Sequence, residues 1–412
     1  MLTTSENTVS TFYGTFPYPW RPMYFDVMSE PSFYATMLRQ ETGRVDLPDI
    51  RSIWIAGCGT NQALITALRY PEAAVLGTDV SAESLEICRA NAAKVGVSNL
   101  RLEQRGLLGD PPDGRFDLVI CTGVIHHNPD PGQCLRTLAA GLGESGVLEL
   151  MVYNRFHRRE TAAFQEALRL LSPGTAADPQ ARLADARALS ASLCGSTAVE
   201  NTLTAQLRNT ENSPKESWAD RWVNPCEHSY DVASLWQLAE KQGLTLEAPV
   251  VNPFDKVEGT LMWTLDGLDD RLHEGFLAGD DRTRWQIVNL LHHNASPKLW
   301  FYLRHGGDAD RVTEADRNRR FLDSVPTRPT AVRRRYVHAG GGAYELDDET
   351  SPLAGWQPPA EVRPIWEQAN GKRSGREILA SLGLTADFTT VYRARTLLCS
   401  AEFPHLILQP AP

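Results

Sequence analysis

Three residues with a particular spacing are the first chemical signal in this 412-residue chain. Gly57 and Gly59 stand one residue apart directly after an apolar run, and Asp79 follows about 20 residues later. Glycines at the end of a buried strand let a ligand approach the backbone closely, because no Cβ is in the way. An acid at the end of the next strand has the spacing that binds ribose hydroxyls. The pattern predicts a nucleoside-containing ligand at this turn.

The residue three positions after Gly59 distinguishes two classes of cofactor. Dinucleotide-binding turns have a third glycine there, so that helix and strand can pack closely around a pyrophosphate. This chain has Gln62 at that position. S-adenosylmethionine (SAM) has no phosphate and needs no such glycine. The turn therefore favours SAM, and an NAD-dependent enzyme remains an alternative.

Alternating strand and helix patterns position these residues. The run that begins at Ser52 predicts a strand buried on both faces, and apolar residues at helical spacing predict a helix over 62–69. A fourth strand is predicted to start at Phe116 and to end at His126 and His127. The other predicted strands cover residues 74–79, 100–104, 146–154, 244–247 and 298–304.

Several blocks in this order resemble the class I SAM-dependent methyltransferases. They are the glycine motif Ala-Gly-Cys-Gly-Thr-Asn at 56–61, Asp-Val-Ser at 79–81, the strand block at 116–127 and the strand block at 146–154. The match covers residues 50–155 closely and extends more loosely to about 305. The resemblance implies an α/β fold with a Rossmann-like, seven-stranded, doubly wound sheet. It also implies SAM as the cofactor and methyl transfer as the reaction.

The resemblance also assigns cofactor contacts. A stretch rich in aromatic residues and proline at 11–20 is similar to a Phe-Pro-Tyr-Pro element in a subset of the family, and Tyr13, Tyr18 and Tyr24 are candidates to face the sulfonium. An arm that only packs against the domain is the alternative. The acid common in the family's adenine loop is missing here, so backbone groups and apolar packing are expected to contact adenine. The expected cofactor contacts are Tyr18, Ala56, Gly57, Cys58, Gly59, Asn61, Asp79, Val80, Gly106, Leu107, Thr122 and Gly123.

The catalytic candidates are His126, Tyr153 and His228. A histidine at the end of a parallel strand lies at the rim where open α/β sheets bind ligands, and it could take a proton near neutral pH. The alternative is a histidine that only shapes the turn. His228 belongs to a polar and aromatic group of residues at 218–230, which predicts either an acceptor site or a loop held by two tryptophans. Arg155 and Tyr230 are additional candidates for acceptor contacts.

Composition limits the partners. A formal net charge of −10 argues against general binding to nucleic acid or to a membrane surface, since both favour a basic face. The seven cysteines are dispersed, and none has zinc-site spacing, so no metal is expected. With no predicted signal peptide or membrane span, a cytoplasmic location is expected.

The predicted organisation has four segments, one of which carries an insertion. They are an aromatic and proline-rich arm and helix at 1–48, a methyltransferase domain at 49–305 with a helical lid insertion at about 156–230, a charged linker at 306–335, and a small α+β winged-helix-like domain at 336–412. The first ten residues are expected to be frayed. The predicted function is methyl transfer to an oxygen or nitrogen atom of a small-molecule, peptide or protein acceptor. The alternative is a SAM-binding protein without turnover, and the C-terminal module could recognise a partner or form a homodimer.

Overall fold

The computed structural model describes residues 2–18, 25–175, 178–196, 200–251, 262–292, 296–338 and 344–410. The strands in these ranges are β1 (Phe25–Met28), β2 (Ser52–Ala56), β3 (Ala74–Asp79), β4 (Leu100–Gln104), β5 (Phe116–Thr122), β6 (Leu142–Tyr153), β7 (Leu244–Pro249), β8 (Lys298–His305), β9 (Val325–Thr327), β10 (Val332–His338), β11 (Tyr344–Pro352) and β12 (Ile407–Gln409).

The helices in the same ranges begin with α1 (Thr4–Thr15) and end with α16 (Phe388–Leu398). Between them lie α2 (Phe33–Thr42), α3 (Gln62–Arg69), α4 (Ala82–Val95), α5 (Pro131–Gly141), α6 (Arg155–Leu171), α7 (Pro179–Gly195), α8 (Thr202–Thr210), α9 (Lys215–Trp222), α10 (Val232–Glu240), α11 (Asp270–Ala278), α12 (Asp281–Leu291), α13 (Glu314–Asp323), α14 (Arg363–Gln368) and α15 (Gly375–Ser381). None of these helices is long and apolar enough to cross a membrane.

Seven strands form the central sheet, in the order β4-β3-β2-β5-β6-β8-β7. The first five run parallel, and β8 is antiparallel to both β6 and β7. The predicted seven-stranded, Rossmann-like sheet is confirmed. The strand order reverses between β2 and β5, and open α/β sheets bind ligands in the crevice at the carboxyl ends beside such a switch point.

Both faces of the sheet are buried, which explains the continuous apolar run of β2. Ile53 and Ile55 pack in one core with Leu64 of α3 and Leu85 of α4. The alternate residue Trp54 packs in the opposite core, whose other members include Leu135 of α5, Leu235 of α10 and Trp285 of α12. Side chains of a strand alternate between faces, so a strand covered on both sides is apolar throughout.

One strand end within residues 49–305 differs from the prediction. The fourth predicted strand, β5, ends at Thr122, and the two histidines lie beyond it in a 3-10 helix, Ile125–His127. The chain turns away because Gly123 has a φ of +82°, a backbone conformation that ends the extended strand. The predicted insertion contains α6, α7, α8 and α9.

The N-terminal prediction of frayed residues is wrong. Residues 4–15 form α1, which begins with a capping box: Thr3 accepts a hydrogen bond from the Glu6 backbone N–H, and the Glu6 carboxylate accepts one from the Thr3 N–H at 2.8 Å. Glu6 is 2% exposed, and Phe12 packs with residues of the insertion. The aromatic and proline-rich stretch at 11–20 is therefore helical over 11–15. Trp20 and Tyr24 lie outside the described residues.

The segment 306–335 is not a solvated linker. It contains α13, whose Arg317 is 1% exposed and forms an ion pair with Glu314 at 2.9 Å. Acidic side chains on the same helix and on a neighbouring helix pair with Arg317 and allow it to be buried. The domain boundary predicted at 335/336 falls inside β10, which pairs with β1 and β11.

The C-terminal region contains helices and a final strand. They are α14, α15, α16 and β12, and β12 pairs antiparallel with β9. A separate core of apolar residues, with Phe321, Ile365, Ile378 and Leu398 among them, joins α13 to these helices. The resemblance to a winged helix remains a prediction.

Candidate functional site

The glycine turn after β2 is held tightly against its neighbours. The N–H groups of Gly57 and Cys58 both donate to the Thr78 carbonyl oxygen, at 2.7 and 2.9 Å. Gly57 has a φ of +77°, and a Cβ there would lie 2.3 Å from a methyl group of Val124. Any larger residue at position 57 would therefore push apart the glycine turn and the segment that leads to the two histidines.

Asp79 connects the end of β3 to this turn. One carboxylate oxygen accepts the Gly59 N–H at 2.9 Å and the other accepts the Ser81 N–H, also at 2.9 Å. Burial raises the pKa of the Asp79 carboxyl, and these backbone donors oppose that rise. A carboxylate has about four acceptor positions, so Asp79 can still accept from a hydroxyl group besides these backbone donors. The donor and acceptor set therefore fits a ribose diol.

Helix α1 crosses the loops after β3 and β4. Ser10 donates to the carbonyl oxygen of Val80 at 2.9 Å, and Glu6 accepts the N–H of Leu108 at 3.0 Å. Gly106 allows this approach, since a Cβ on Gly106 would overlap the Glu6 carboxylate at 1.8 Å. The helix therefore covers the loops to which the sequence assigned the ribose and the adenine.

Glu6 was not identified from the sequence, although a signal for it exists. Thr3 and Glu6 have the Ser/Thr-x-x-Glu spacing of a capping box, which would have predicted α1. Just after the helix, the Tyr18 carbonyl oxygen accepts the Thr60 N–H at 3.2 Å, so the N-terminal segment also contacts the glycine turn. The Tyr18 side chain is 47% exposed.

His126 and Tyr153 are brought together at the carboxyl ends of β5 and β6. Their ring centroids are 4.0 Å apart. His126 is fully buried, and within the described part of the chain neither of its ring nitrogens has a hydrogen-bond partner. Burial, followed by the neighbouring His127, Arg158 and His228, lowers the pKa of His126 well below its usual value. The imidazole is therefore neutral at neutral pH and can accept or donate a hydrogen bond to a ligand.

The other face of Tyr153 contacts a buried ion pair. The Arg158 guanidinium carbon lies 4.3 Å from the ring centroid, and Arg158 bonds Glu227 through two nitrogens, at 2.7 and 2.5 Å. Both side chains are under a tenth exposed. Because Glu227 neutralises Arg158, this pair fixes the tyrosine without leaving a free charge beside it.

Tyr13 of α1 meets Asp220 of α9 beside the histidines. The Tyr13 hydroxyl donates to Asp220 at 3.2 Å and accepts from the side-chain amide of Asn224 at 3.2 Å. The Tyr13 ring lies 6.4 Å from that of His127. No motif or spacing in the sequence indicated Asp220, which lies between two tryptophans of a short helix.

The remaining predicted cofactor contacts lie in the glycine turn or close to it. Thr122 accepts from the Gln62 side chain at 2.7 Å, which ties β5 to α3, and Asn61 accepts from Asn91 at 3.2 Å. Ala56, Cys58 and Leu107 are buried.

The acceptor candidates beyond Tyr153 lie around the edge of this cluster. His228 donates its backbone N–H to the His126 carbonyl oxygen, whereas its Nε2 lies 3.7 Å from the Cys226 sulfur. Arg155 forms an ion pair with Asp231 and is 51% exposed. The backbone of Tyr230 pairs with that of Tyr153.

Comparison with known proteins also indicates a methyltransferase domain. A family model described as a methyltransferase domain matches residues 54–148. An uncharacterized protein of Synechococcus sp. is 29% identical over 293 residues, covering 69% of this chain and 68% of that protein. A ubiquinone biosynthesis O-methyltransferase of Bordetella avium is 30% identical over 132 residues, which are 30% of this chain and 53% of the relative.

One solved structure has the same overall fold along most of the chain. PKMT2 from Rickettsia typhi, in complex with AdoHcy, superimposes with a TM-score of 0.58. The alignment covers 89% of this chain and 75% of that protein at 16% identity.

Proposed function

The chain contains a class I SAM-dependent methyltransferase domain, and we propose that it transfers the methyl group to a nitrogen or oxygen atom of a small-molecule, peptide or protein acceptor. The observation that carries this proposal is the position of the aromatic and acidic cluster. The Tyr153 ring packs on His126 and lies within electrostatic reach of Asp220, and Val124 packs against Gly57 of the glycine turn. Cofactor and acceptor would therefore meet there.

The residues of the turn suit the cofactor. Asp79 would hold the ribose hydroxyls, and Gly57 and Gly59 would let the backbone approach the amino acid portion. Bound SAM supplies a methyl group on a sulfonium, whose leaving group is already good. The protein then has to align the acceptor and exclude water, which can be worth about 7–11 kcal/mol.

The cluster around Tyr153 is suited to that alignment. Tyr153 lies between the His126 ring and the Arg158 guanidinium, so its position is fixed from both sides. Helix α1 covers the adjoining loops and would keep water out of the closed site. His126 and Asp220 supply groups that can accept a proton from the acceptor.

Turnover separates the proposal from its alternative, a SAM-binding protein without activity. We expect the purified protein to form S-adenosylhomocysteine from SAM and to label an acceptor when it is incubated with methyl-tritiated SAM and a cell lysate. Binding of S-adenosylhomocysteine with no labelled product at any protein concentration would instead support the non-catalytic alternative.

The cellular location of the protein and the role of its C-terminal helices are also proposals. The dispersed cysteines suit a cytoplasmic protein, and the net charge of −10 favours an acceptor other than nucleic acid. The separate core of α13 to α16 supports a unit that could recognise a partner or form a homodimer. Light scattering of the intact chain tests dimerisation, and a monomer at high concentration would contradict it.

A further inference from the structure

We propose that the acceptor is an amine and that Asp220 binds its ammonium group and takes its proton. This inference rests on the proposed methyltransferase function and specifies the acceptor of the same site. It is carried by a carboxylate that lies in an aromatic cluster and forms no ion pair among the described residues.

The partners of Asp220 leave its charge uncompensated. Among the described residues its carboxylate has one hydrogen bond, from the Tyr13 hydroxyl, and no ion pair. Asn224 can only donate through its amide nitrogen, so the Tyr13 oxygen accepts there and its single proton points to Asp220. A neutral hydroxyl stabilises a carboxylate without cancelling its charge.

Two groups whose positive charge would favour an ionised Asp220, His127 and Arg158, have other partners, and Nδ1 of His127 lies 2.9 Å from the Cys226 carbonyl oxygen. Arg158 is bound at two nitrogens by Glu227, and Gln165 donates to the same carboxylate at 3.2 Å. His126 is held neutral by its burial. A charge left in such surroundings is costly unless a ligand of opposite charge arrives.

Two tyrosines lie within electrostatic reach of Asp220. Its charge contributes to raising the pKa of Tyr13 and Tyr153, after burial, which is the main cause. Aromatic faces attract a cation by about 0.5–2 kcal/mol each, so the same cluster that isolates the carboxylate suits an ammonium group.

A second observation points to a ligand at this place. His126 is fully buried against Tyr153, yet both of its ring nitrogens lack partners in the described part of the chain. Buried polar atoms in native proteins are nearly always hydrogen-bonded. One nitrogen of the neutral imidazole can accept an N–H of a bound amine, and Tyr153, against which the imidazole packs, lies within electrostatic reach of Asp220.

The proposed reaction transfers one proton and one methyl group. An N–H bond of the acceptor ammonium breaks and its proton forms an O–H bond with Asp220. The freed nitrogen lone pair forms a C–N bond to the methyl carbon while the C–S bond breaks, and sulfur keeps that electron pair as a thioether. Asp220 later releases the proton to water, so the net products are a methylated ammonium, S-adenosylhomocysteine and one proton.

The first measurement identifies the bond that is formed. The intact protein is incubated with methyl-tritiated SAM and separate protein and metabolite fractions of the expression host. Alkali releases methyl esters as methanol, and mass spectrometry distinguishes N-methyl products from ethers. We expect N-methyl products. Labelled esters or ethers alone, or no labelled amine in either fraction, would overturn the proposal.

The second measurement assigns the role of Asp220. Asp220→Asn keeps the size of the side chain and its bond from Tyr13, and we expect it to lower the rate of N-methylation about 100-fold. The affinity for S-adenosylhomocysteine should stay within about twofold, since Asp79 and not Asp220 serves the cofactor. The control is Glu211→Gln, an exposed carboxylate at the end of α8, which should change neither quantity.

A pH profile excludes a merely structural role. In the parent protein the rate should rise with pH until Asp220 is ionised and then level off, whereas in Asp220→Asn it should keep rising as the amine loses its proton to water. Should Asp220→Asn fail to fold, Tyr13→Phe removes the hydrogen bond to Asp220 and should shift the acidic limb of the profile. An unchanged limb would contradict the proposal.

The cofactor itself is the other possible cation for Asp220. If Asp220→Asn weakens the binding of S-adenosylhomocysteine by the same factor as it slows methyl transfer, the carboxylate belongs to the cofactor site and the amine inference fails. If the parent protein neither binds S-adenosylhomocysteine nor transfers label, the proposed function itself fails.

Discussion

Charged and polar side chains are paired differently in two regions of this protein. Between the sheet and the C-terminal helices they are paired: Glu314 binds both Arg317 and Arg395, and Asp281 binds Arg284 and Arg311. At the carboxyl edge of the sheet, Asp220 has a single hydroxyl partner and the His126 nitrogens have none among the described residues.

The difference indicates where the protein can gain interactions by binding a ligand. A paired network stabilises the fold only if every member is present, and it offers nothing to a ligand. Polar groups left without partners cost stability, and they recover it when a ligand supplies the missing charge or hydrogen bond. Proteins accept such costs mainly at functional sites.

Removing a paired charge should have the largest effect on stability. Arg317→Leu leaves Glu314 with one partner fewer and removes hydrogen bonds to the Val312 and Glu247 carbonyl oxygens. We expect the free energy of unfolding in urea to fall by about 3–5 kcal/mol.

The matched control for this variant lies on the same helix. Arg319 pairs with Asp316 at the surface, with its side chain 65% exposed, so Arg319→Leu should cost less than about 1 kcal/mol. Equal losses for the two variants would show that burial of the α13 charges does not matter.

Crowding at the glycine turn should have an intermediate effect. Gly57→Ala meets both a φ of +77° and the Val124 methyl group, whereas Gly96→Ala meets a φ of +78° with open space around the Cβ. We expect Gly96→Ala to cost about 1–2 kcal/mol of unfolding free energy. Gly57→Ala should cost about 1–3 kcal/mol more, since overpacking adds to the backbone strain. The same loss in both variants would rule out the close contact with Val124.

Removing the unpaired charge should have the smallest effect and the opposite sign. Burial raises the pKa of Asp220 in the folded state, so its contribution to stability is present at pH values below the unfolded pKa and is lost as pH rises. Asp220→Asn, which never ionises, should therefore be as stable as the parent at pH 4. At pH 8 it should be more stable, by less than about 1 kcal/mol. A large destabilisation at pH 8 would place Asp220 among the structural charges.

The sequence was sufficient for the sheet and its turn because these depend on local patterns. The apolar run of β2, the two glycines and the spacing to Asp79 each follow from one segment of the chain. The fold around them was predicted correctly for the same reason.

Long-range pairing of polar residues explains what was missed. Glu6 is buried because a backbone N–H of Leu108, about 100 residues away, needs an acceptor. The burial of Arg317 was missed because Asp281 and Arg395, which complete its ion-pair network, belong to other helices. Asp220 gave no signal, because its importance comes from the absence of a partner, which only the folded chain reveals.

One titration tests the assignment of the carboxyl edge most directly. The intact protein is titrated calorimetrically with S-adenosylhomocysteine and, separately, with NAD, in parallel with Gly57→Ala and Gly96→Ala. We expect micromolar binding of S-adenosylhomocysteine by the parent and by Gly96→Ala, loss of that binding in Gly57→Ala, and no binding of NAD. Binding of neither ligand by the parent, or binding of NAD alone, would contradict a SAM site at the glycine turn.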